Sequence, residues 1–215
     1  MKKIMSMIVC GIAILGGAFL PHFAQAAGED NAAGERVAAI HKAYKSIQDI
    51  KGSFVQKSTI KDLKKTEIYK GQFFIKAKKM RWDYKGEKPQ TVYITGGEII
   101  IYQPQQKQAF KAPFNHETYG QAPIALLSGL GNINREFFVA MQDEKLILTP
   151  KAPMGNVTQV ELTTNDAAFP ITSLSVIDKL GNRVDITLTD VRTNTNIRNA
   201  VFIFKAPEGV AVLEQ

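Results

Sequence analysis

Residues 68–84 carry two alternating patterns of apolar and polar side chains that meet at a pair of lysines. Odd positions in the first half are apolar or glycine: Tyr69, Gly71, Phe73, Ile75 and Ala77. After Lys78 and Lys79 the apolar side chains move to even positions: Met80, Trp82 and Tyr84. A period of two is typical of a β-strand, and the change of parity predicts a tight hairpin with one apolar face. Gly71, among such large neighbours, indicates a bend or a close approach by another group.

The rest of the pattern predicts a mainly β protein with one long helix at its start. That helix is expected to run from an N-cap at Asp30 to about Asp49, because apolar residues between them recur at helical spacing. Further alternating segments, the last at residues 201–205, predict about eleven strands joined by short turns as an antiparallel meander. Residues 121–131 predict a short helix that is apolar on nearly all sides and must therefore be covered.

The first 26 residues have the features of a secretory signal peptide. Two lysines precede an apolar run over residues 4–20, and Ala24-Gln25-Ala26 forms a cleavage site. Cleavage after Ala26 leaves residues 27–215 as a single domain. The only cysteine, Cys10, lies within the apolar run, so the mature domain is expected to have neither a disulfide nor a lipid anchor. These features predict an exported protein of the bacterial periplasm.

Charge and composition narrow the function classes. The net charge of +7 becomes +5 once the two lysines of the signal peptide are removed. The lysines of residues 61–81 could attract an anionic partner, although solubilising a sheet and discouraging edge pairing also explains them. No nucleic-acid motif is present, and an exported chain is a poor candidate for such binding.

Catalytic constellations are scarce in this sequence. His41 and His116 are the only histidines of the mature chain, and no spacing for a zinc site occurs. Ser128 lacks the preceding glycine of a nucleophile elbow. Four carboxylates could pair as general acid and base, but a β protein carries such residues in any case: Asp49, Asp62, Asp83 and Glu98. We therefore expect no catalytic residues, no metal and no cofactor.

Several segments together resemble one known family. They are Phe54-Val55-Gln56-Lys57, residues 71–84, residues 95–102, Ala122-Pro123-Ile124-Ala125-Leu126-Leu127, residues 148–151, residues 178–182 and residues 202–210. Their order and spacing are similar to those of the LolA family, the periplasmic carriers of outer-membrane lipoproteins. The resemblance implies an incomplete, eleven-stranded antiparallel β-barrel with helices as a lid over an apolar cavity. It also implies a monomer that takes acylated lipoproteins from an inner-membrane ABC transporter (LolCDE-like) and delivers them to an outer-membrane receptor (LolB-like).

The resemblance assigns roles to the hairpin and to the short apolar helix. Acyl chains would lie in a cavity lined by Phe73, Ile75, Met80, Trp82 and Tyr84. The lid would consist of Ile124, Leu126 and Leu127. Alternation alone favours a filled core, so the cavity depends on the resemblance.

The sequence departs from the family at one position. Members usually have Arg-Pro after the Phe-Ile-Lys strand, with the arginine directed inward to hold the lid. Here the stretch is Ala77-Lys78-Lys79, and strand parity predicts that Ala77 points inward and Lys78 outward. Two alternatives remain, a LolA-like lipid-binding or envelope-stress-sensing module and an esterase acting on lipid-like substrates.

Overall fold

The computed structural model describes residues 23–114, 127 and 133–214, with the backbone alone for 23–30. Its strands are β1 (Asp49–Ile60), β2 (Lys65–Lys76), β3 (Lys79–Lys85), β4 (Gln90–Thr95), β5 (Glu98–Gln103), β6 (Gln108–Pro113), β7 (Phe137–Gln142), β8 (Lys145–Pro150), β9 (Val157–Thr164), β10 (Ile171–Asp178), β11 (Arg183–Thr193) and β12 (Ala211–Glu214). Its helices are α1 (Phe23–Ser46), one turn at Ile133–Glu136, and 3₁₀ turns at Pro104–Gln106 and Asn199–Phe202. Most of the predicted signal peptide and of the helix predicted at 121–131 lies outside the described residues.

The described strands form one open sheet in the order β12-β6-β5-β4-β3-β2-β1-β11-β10-β9-β8-β7. Neighbours are antiparallel except β12 and β6, which are parallel. The sheet does not close, because β7 and β12 lie at its two edges. The predicted mainly β, incomplete antiparallel barrel is therefore confirmed, with twelve described strands where about eleven were predicted.

A single core joins both halves of the sheet to α1. Side chains from β1 to β5 and from β7 to β11 belong to one buried cluster, so the sheet curls around a common interior. Helix α1 contributes Ala33, Val37 and Ile40 at spacings of four and three, which place them on one face. The predicted helix is thus present, but it begins at Phe23, well before the predicted cap at Asp30. No described helix is long and apolar enough to cross a membrane.

The β2–β3 hairpin closes one residue earlier than predicted. Lys76 pairs with Lys79, so the turn consists of Ala77 and Lys78, and Ala77 takes a φ of 53°. Both turn residues are exposed. The prediction that Ala77 points inward is therefore wrong, because strand alternation stops at Lys76. The parity of the strands is as predicted, with Phe73 opposite Trp82.

Residues 194–204 cover part of the outer face instead of forming the strand predicted at 201–205. Phe202 is buried in a 3₁₀ turn, and the Phe204 ring lies 5.6 Å from that of Tyr93. At the start of β1, the buried Asp49 carboxylate accepts hydrogen bonds from Thr195 N (2.8 Å), Thr195 Oγ1 (3.0 Å) and Ile197 N (3.0 Å). Burial raises the pKa of Asp49, but these bonds together lower it more, so the pKa is below its ordinary value.

Candidate ligand-binding site

Four aromatic side chains meet on the inner face of β1 to β3, and we call them the aromatic cluster: Phe54, Phe73, Trp82 and Tyr84. The Phe54 and Trp82 rings are stacked with centroids 4.0 Å apart, and the Phe73 and Trp82 rings are 5.2 Å apart. Tyr84 meets Phe54 edge to face at 5.2 Å. Strand register explains the grouping, because Phe54, Gly71 and Tyr84 form one cross-strand row.

Gly71 makes this packing possible. A Cβ atom at position 71 would lie 2.6 Å from Phe54 Cε1 and 1.9 Å from the Asp83 carbonyl oxygen. The Phe54 ring therefore occupies the space that a side chain would need. The close approach that the sequence indicated at Gly71 is confirmed.

The strand register brings the five predicted cavity residues to one face. Phe73, Ile75, Met80 and Trp82 are buried, whereas Tyr84 is half-buried against them. Leu127, the one described lid residue, is helical and buried in the same cluster, whereas Ile124 and Leu126 lie outside the described residues. Whether these side chains open around a ligand stays a prediction.

The aromatic cluster contains an unusual buried donor. Trp82 is fully buried, and its Nε1 has no hydrogen-bond partner in the described part of the chain. Burial raises the pKa of the Tyr84 hydroxyl, and the nearby Trp82 indole N–H opposes that effect although the two groups do not reach hydrogen-bond geometry. An unpaired buried N–H costs roughly 1–3 kcal/mol.

Tyr44 of α1 joins the helix to the segment that carries Leu127. Its hydroxyl donates a hydrogen bond of 2.6 Å to the Leu127 carbonyl oxygen, and burial raises the pKa of this hydroxyl far above its ordinary value. Helical spacing from Val37 and Ile40 puts Tyr44 on the apolar face of α1, but nothing in the sequence indicates this bond. Ala77 and Lys78, the predicted lid-lock position, make no side-chain hydrogen bond in the part of the chain that the structure describes.

The carboxylates considered for catalysis have other roles. Asp49 holds residues 195 and 197, Asp83 pairs with Arg81 at 2.9 Å, and Glu98 pairs with Lys111 at 2.9 Å. Asp62 is exposed in the turn between β1 and β2. Asp49, Asp83 and Glu98 thus lie on three different strands, and each carboxylate bonds a neighbouring part of the structure.

Comparison with known proteins identifies the family of this chain. Residues 45–205 match the family described as "Outer membrane lipoprotein carrier protein LolA". The chain belongs to the LolA family. An outer-membrane lipoprotein carrier protein of Leptothrix cholodnii is 29% identical over 211 residues, which cover 94% of this chain and 96% of that protein. A LolA relative of the same description from Halorhodospira halophila is 26% identical over 178 residues, covering 82% and 84%.

A solved structure supports the same fold for this LolA family member. An uncharacterized conserved protein from Thermus thermophilus superposes with a TM-score of 0.52 at 15% identity. The match covers 86% of this chain and 99% of that protein. At this identity the likeness concerns the fold alone.

Proposed function

We propose that this LolA family member is a periplasmic carrier that holds the acyl chains of outer-membrane lipoproteins. The observation that carries the proposal is the aromatic cluster with Met80 and Ile75, buried on the inner face of an open sheet. Residues of α1 and Leu127 belong to the same buried cluster. An open sheet whose apolar face is covered by helical segments can exchange that cover for an acyl chain.

The energetics favour such an exchange over a permanently exposed groove. Removing an acyl chain from water stabilises a complex by roughly 0.8 kcal/mol per CH₂ group. If the ligand replaces the lid, one apolar surface takes the place of another, and the ligand can be released again. Met80 suits this role because its unbranched, polarisable side chain adapts to different neighbours. No bond is made or broken, so no catalytic chemistry is needed.

The proposed route has a donor and an acceptor membrane. An inner-membrane lipoprotein-releasing ABC transporter (LolCDE-like) would load the monomeric carrier, and an outer-membrane receptor (LolB-like) would unload it. The energy for extracting acyl chains would come from the transporter. The lid would be Leu127 together with Ile124 and Leu126, as the sequence predicts.

Expression in a native periplasm tests this proposal. The carrier is purified under conditions that preserve complexes, and mass spectrometry identifies the acylated species bound to it. We expect mature outer-membrane lipoproteins that the carrier delivers to vesicles bearing the receptor. Free lipids without lipoproteins would favour a lipid-binding or sensing module, and turnover of a lipid ester would favour an enzyme. Either result would contradict the proposal.

A further inference from the structure

The inner face of the sheet changes from apolar to neutral polar at one end. At this end of β1 to β5, the inner-face positions next to the buried residues carry amide or hydroxyl side chains. We call these side chains the polar mouth: Gln56, Ser58, Tyr69, Tyr84, Gln90 and Gln103. Register supports the grouping, because Gln56 lies opposite Tyr69, and Tyr84 lies opposite Gln90. The Ala77–Lys78 turn is at the other end of the β2–β3 hairpin.

The polar mouth surrounds a pocket of about 360 Å³. Two loops complete its wall, one carrying Lys88 and the other Gln106. The loops are joined, since Gln105 Nε2 donates a hydrogen bond of 2.7 Å to the Glu87 carbonyl oxygen. Among the described lining residues, Lys88 alone is charged. The pocket is therefore equipped for neutral polar groups more than for an ion.

Tyr69 Oη donates a hydrogen bond to the Glu67 carboxylate, but few hydrogen bonds join the other lining side chains, which leaves capacity for a ligand. Tyr84 Oη donates to Gln56 Oε1 at 2.9 Å, and Gln56 Nε2 donates to Ser58 Oγ at 3.0 Å. Gln103 Nε2 reaches Gln90 Oε1 at 3.4 Å, which is a long bond. Each glutamine amide has two N–H donors, so N–H groups remain for incoming carbonyl oxygens.

Tyr84 links the polar mouth to the aromatic cluster. Its ring packs against Phe54, while its hydroxyl bonds within the pocket. Trp82 Nε1, which has no partner among the described residues, is buried beside that hydroxyl. A ligand with an apolar tail and a carbonyl-rich head could therefore place the tail on Trp82 and the head among the amides without a gap between the two sites.

We propose that the polar mouth binds the ester and amide carbonyl groups that join the acyl chains of the ligand to its peptide. The inference rests on the proposed carrier function and adds a direction to it. The acyl chains enter past Tyr84 toward Trp82, and the peptide leaves beside Lys88 into solvent. The site then distinguishes an acylated lipoprotein from a plain hydrocarbon by its carbonyl groups.

The test titrates the full mature protein with two synthetic lipopeptides and measures the binding by calorimetry. One carries two palmitoyl chains in ester linkage, and the other carries the same chains in ether linkage, which removes the carbonyls. Wild type and the variants Gln90→Leu, Gln103→Leu and the double variant are compared with Gln72→Leu. Gln72 is an exposed glutamine of β2 with the opposite parity to Phe73, so it faces outward and is a matched control. Thermal unfolding establishes that each variant is folded.

We expect wild type to bind the ester lipopeptide roughly five- to tenfold more tightly for each carbonyl bond. The double variant should lose this preference while still binding the ether lipopeptide, and Gln72→Leu should retain it. Equal affinities in wild type, or a preference that survives in the double variant, would overturn the polar mouth and leave the carrier function intact. Failure of wild type to bind either lipopeptide would overturn the carrier function and this inference with it.

A third probe, palmitate, separates neutral carbonyls from a free anionic head group. Palmitate binding that is lost in Lys88→Gln, with an ester preference that is unchanged in the double variant, would assign the pocket to carboxylates and overturn the proposal.

Discussion

The two halves of the sheet contribute differently to one core. The inner face of β7 to β11 is mostly aliphatic and buried: Leu146, Leu148, Val160, Leu162, Leu174, Val176 and Ile186. The inner face of β1 to β5 adds the aromatic cluster and Met80, needs Gly71 to accommodate Phe54, and leaves Trp82 Nε1 without a partner in the described residues. We call these the aliphatic half and the aromatic half.

The outer face of the aliphatic half carries a network of ion pairs. Arg183 bonds both carboxylate oxygens of Glu161, at 2.9 and 2.8 Å, and its Nε donates to Asp185 at 2.7 Å. The bonds from Arg183 lower the pKa of Glu161 below its ordinary value. Cross-strand ion pairs of this kind contribute modestly at a partly exposed site but fix register. We therefore expect the aliphatic half to act as a scaffold and the aromatic half to act as the binding surface.

The largest expected effect comes from placing a carboxylate in each half. Met80→Glu should remain folded, since Met80 is one residue from the start of β3 and a glutamate there can reach water when the lid moves. It should lose lipoprotein transfer, because a charge on this surface opposes the entry of acyl chains. Leu162→Glu, at a buried position within β9, should fail to fold. Normal transfer by a folded Met80→Glu protein, or unfolding of both variants, would contradict the distinction between the two halves.

A methyl group at Gly71 should disturb the aromatic half from within. The contact of 1.9 Å with a backbone oxygen cannot be relieved by a side-chain rotation. We expect Gly71→Ala to lower the free energy of unfolding by about 3 kcal/mol, the upper end for overpacking. Gly34→Ala on α1 is the control, because nothing lies within 4 Å of its Cβ, and should raise stability by about 0.5–1 kcal/mol. Urea denaturation measures both, and equal effects would refute the steric role of Gly71.

We call the hydrogen bonds from residues 195 and 197 to the Asp49 carboxylate the Asp49 anchor. Its loss should change stability without changing binding. Asp49→Asn replaces a buried carboxylate that accepts three bonds, so we expect a loss of about 1.5–3 kcal/mol in unfolding free energy. Lipopeptide affinity should not change, because the described hydrogen bonds of Asp49 hold residues 194–197 in place. Asp166→Asn, at an exposed pair with Arg36, should cost less than about 1 kcal/mol. A large loss of affinity in folded Asp49→Asn would show that the anchor belongs to the binding machinery.

The same anchor predicts a pH dependence. The folded-state pKa of Asp49 is lower than its unfolded value of about 3.9, so its stabilisation is complete above that pH. It is lost as the pH falls through the folded-state pKa. The stability difference between wild type and Asp49→Asn should therefore be constant from about pH 7 to 5 and shrink below about pH 4. A difference that grows on acidification would contradict the lowered pKa.

Tyr44→Phe should give the smallest loss of stability, and its effect should be confined to the predicted lid. Loss of its bond to the Leu127 carbonyl should cost about 0.5–1.5 kcal/mol. Hydrogen exchange over residues 121–131 should become faster, with the strands of the aliphatic half unaffected. Lys78→Ala is the control and should leave exchange unchanged, since Lys78 is an exposed turn residue. Faster exchange in Lys78→Ala alone would restore the lysine as the lid lock.

Alternation in the sequence predicted ten of the twelve described strands, each of which buries residues on one face, but it did not predict β7 or β12. It failed at Ala77, where the alternating pattern continues one residue past the last ladder pair, and only the register of Lys76 with Lys79 reveals the turn. β12 is exposed throughout and pairs at the edge, so no apolar period indicates it. The aromatic strand predicted at 201–205 became a 3₁₀ turn because Phe202 is buried outside the sheet.

The site was predictable in part for the same reason. Parity correctly grouped Phe73, Met80 and Trp82, and glycine among large residues indicated the close approach at position 71. Phe54 was missed as a member of the cluster, although it has the parity of Gln56, because its contact with Trp82 spans three strands. Tyr44 could not be assigned, since the partner of its hydroxyl is a backbone atom 83 residues away.

Fluorescence of Trp82 tests most directly whether the aromatic half binds acyl chains. Trp82 is the only tryptophan of the chain, and its indole is fully buried between Phe54 and Phe73. Titration with the ester lipopeptide should shift or quench its emission in a saturable way, with a midpoint equal to the calorimetric affinity. An emission spectrum that does not change while calorimetry records binding would place the ligand elsewhere and contradict the division of the sheet into a scaffold and a binding surface.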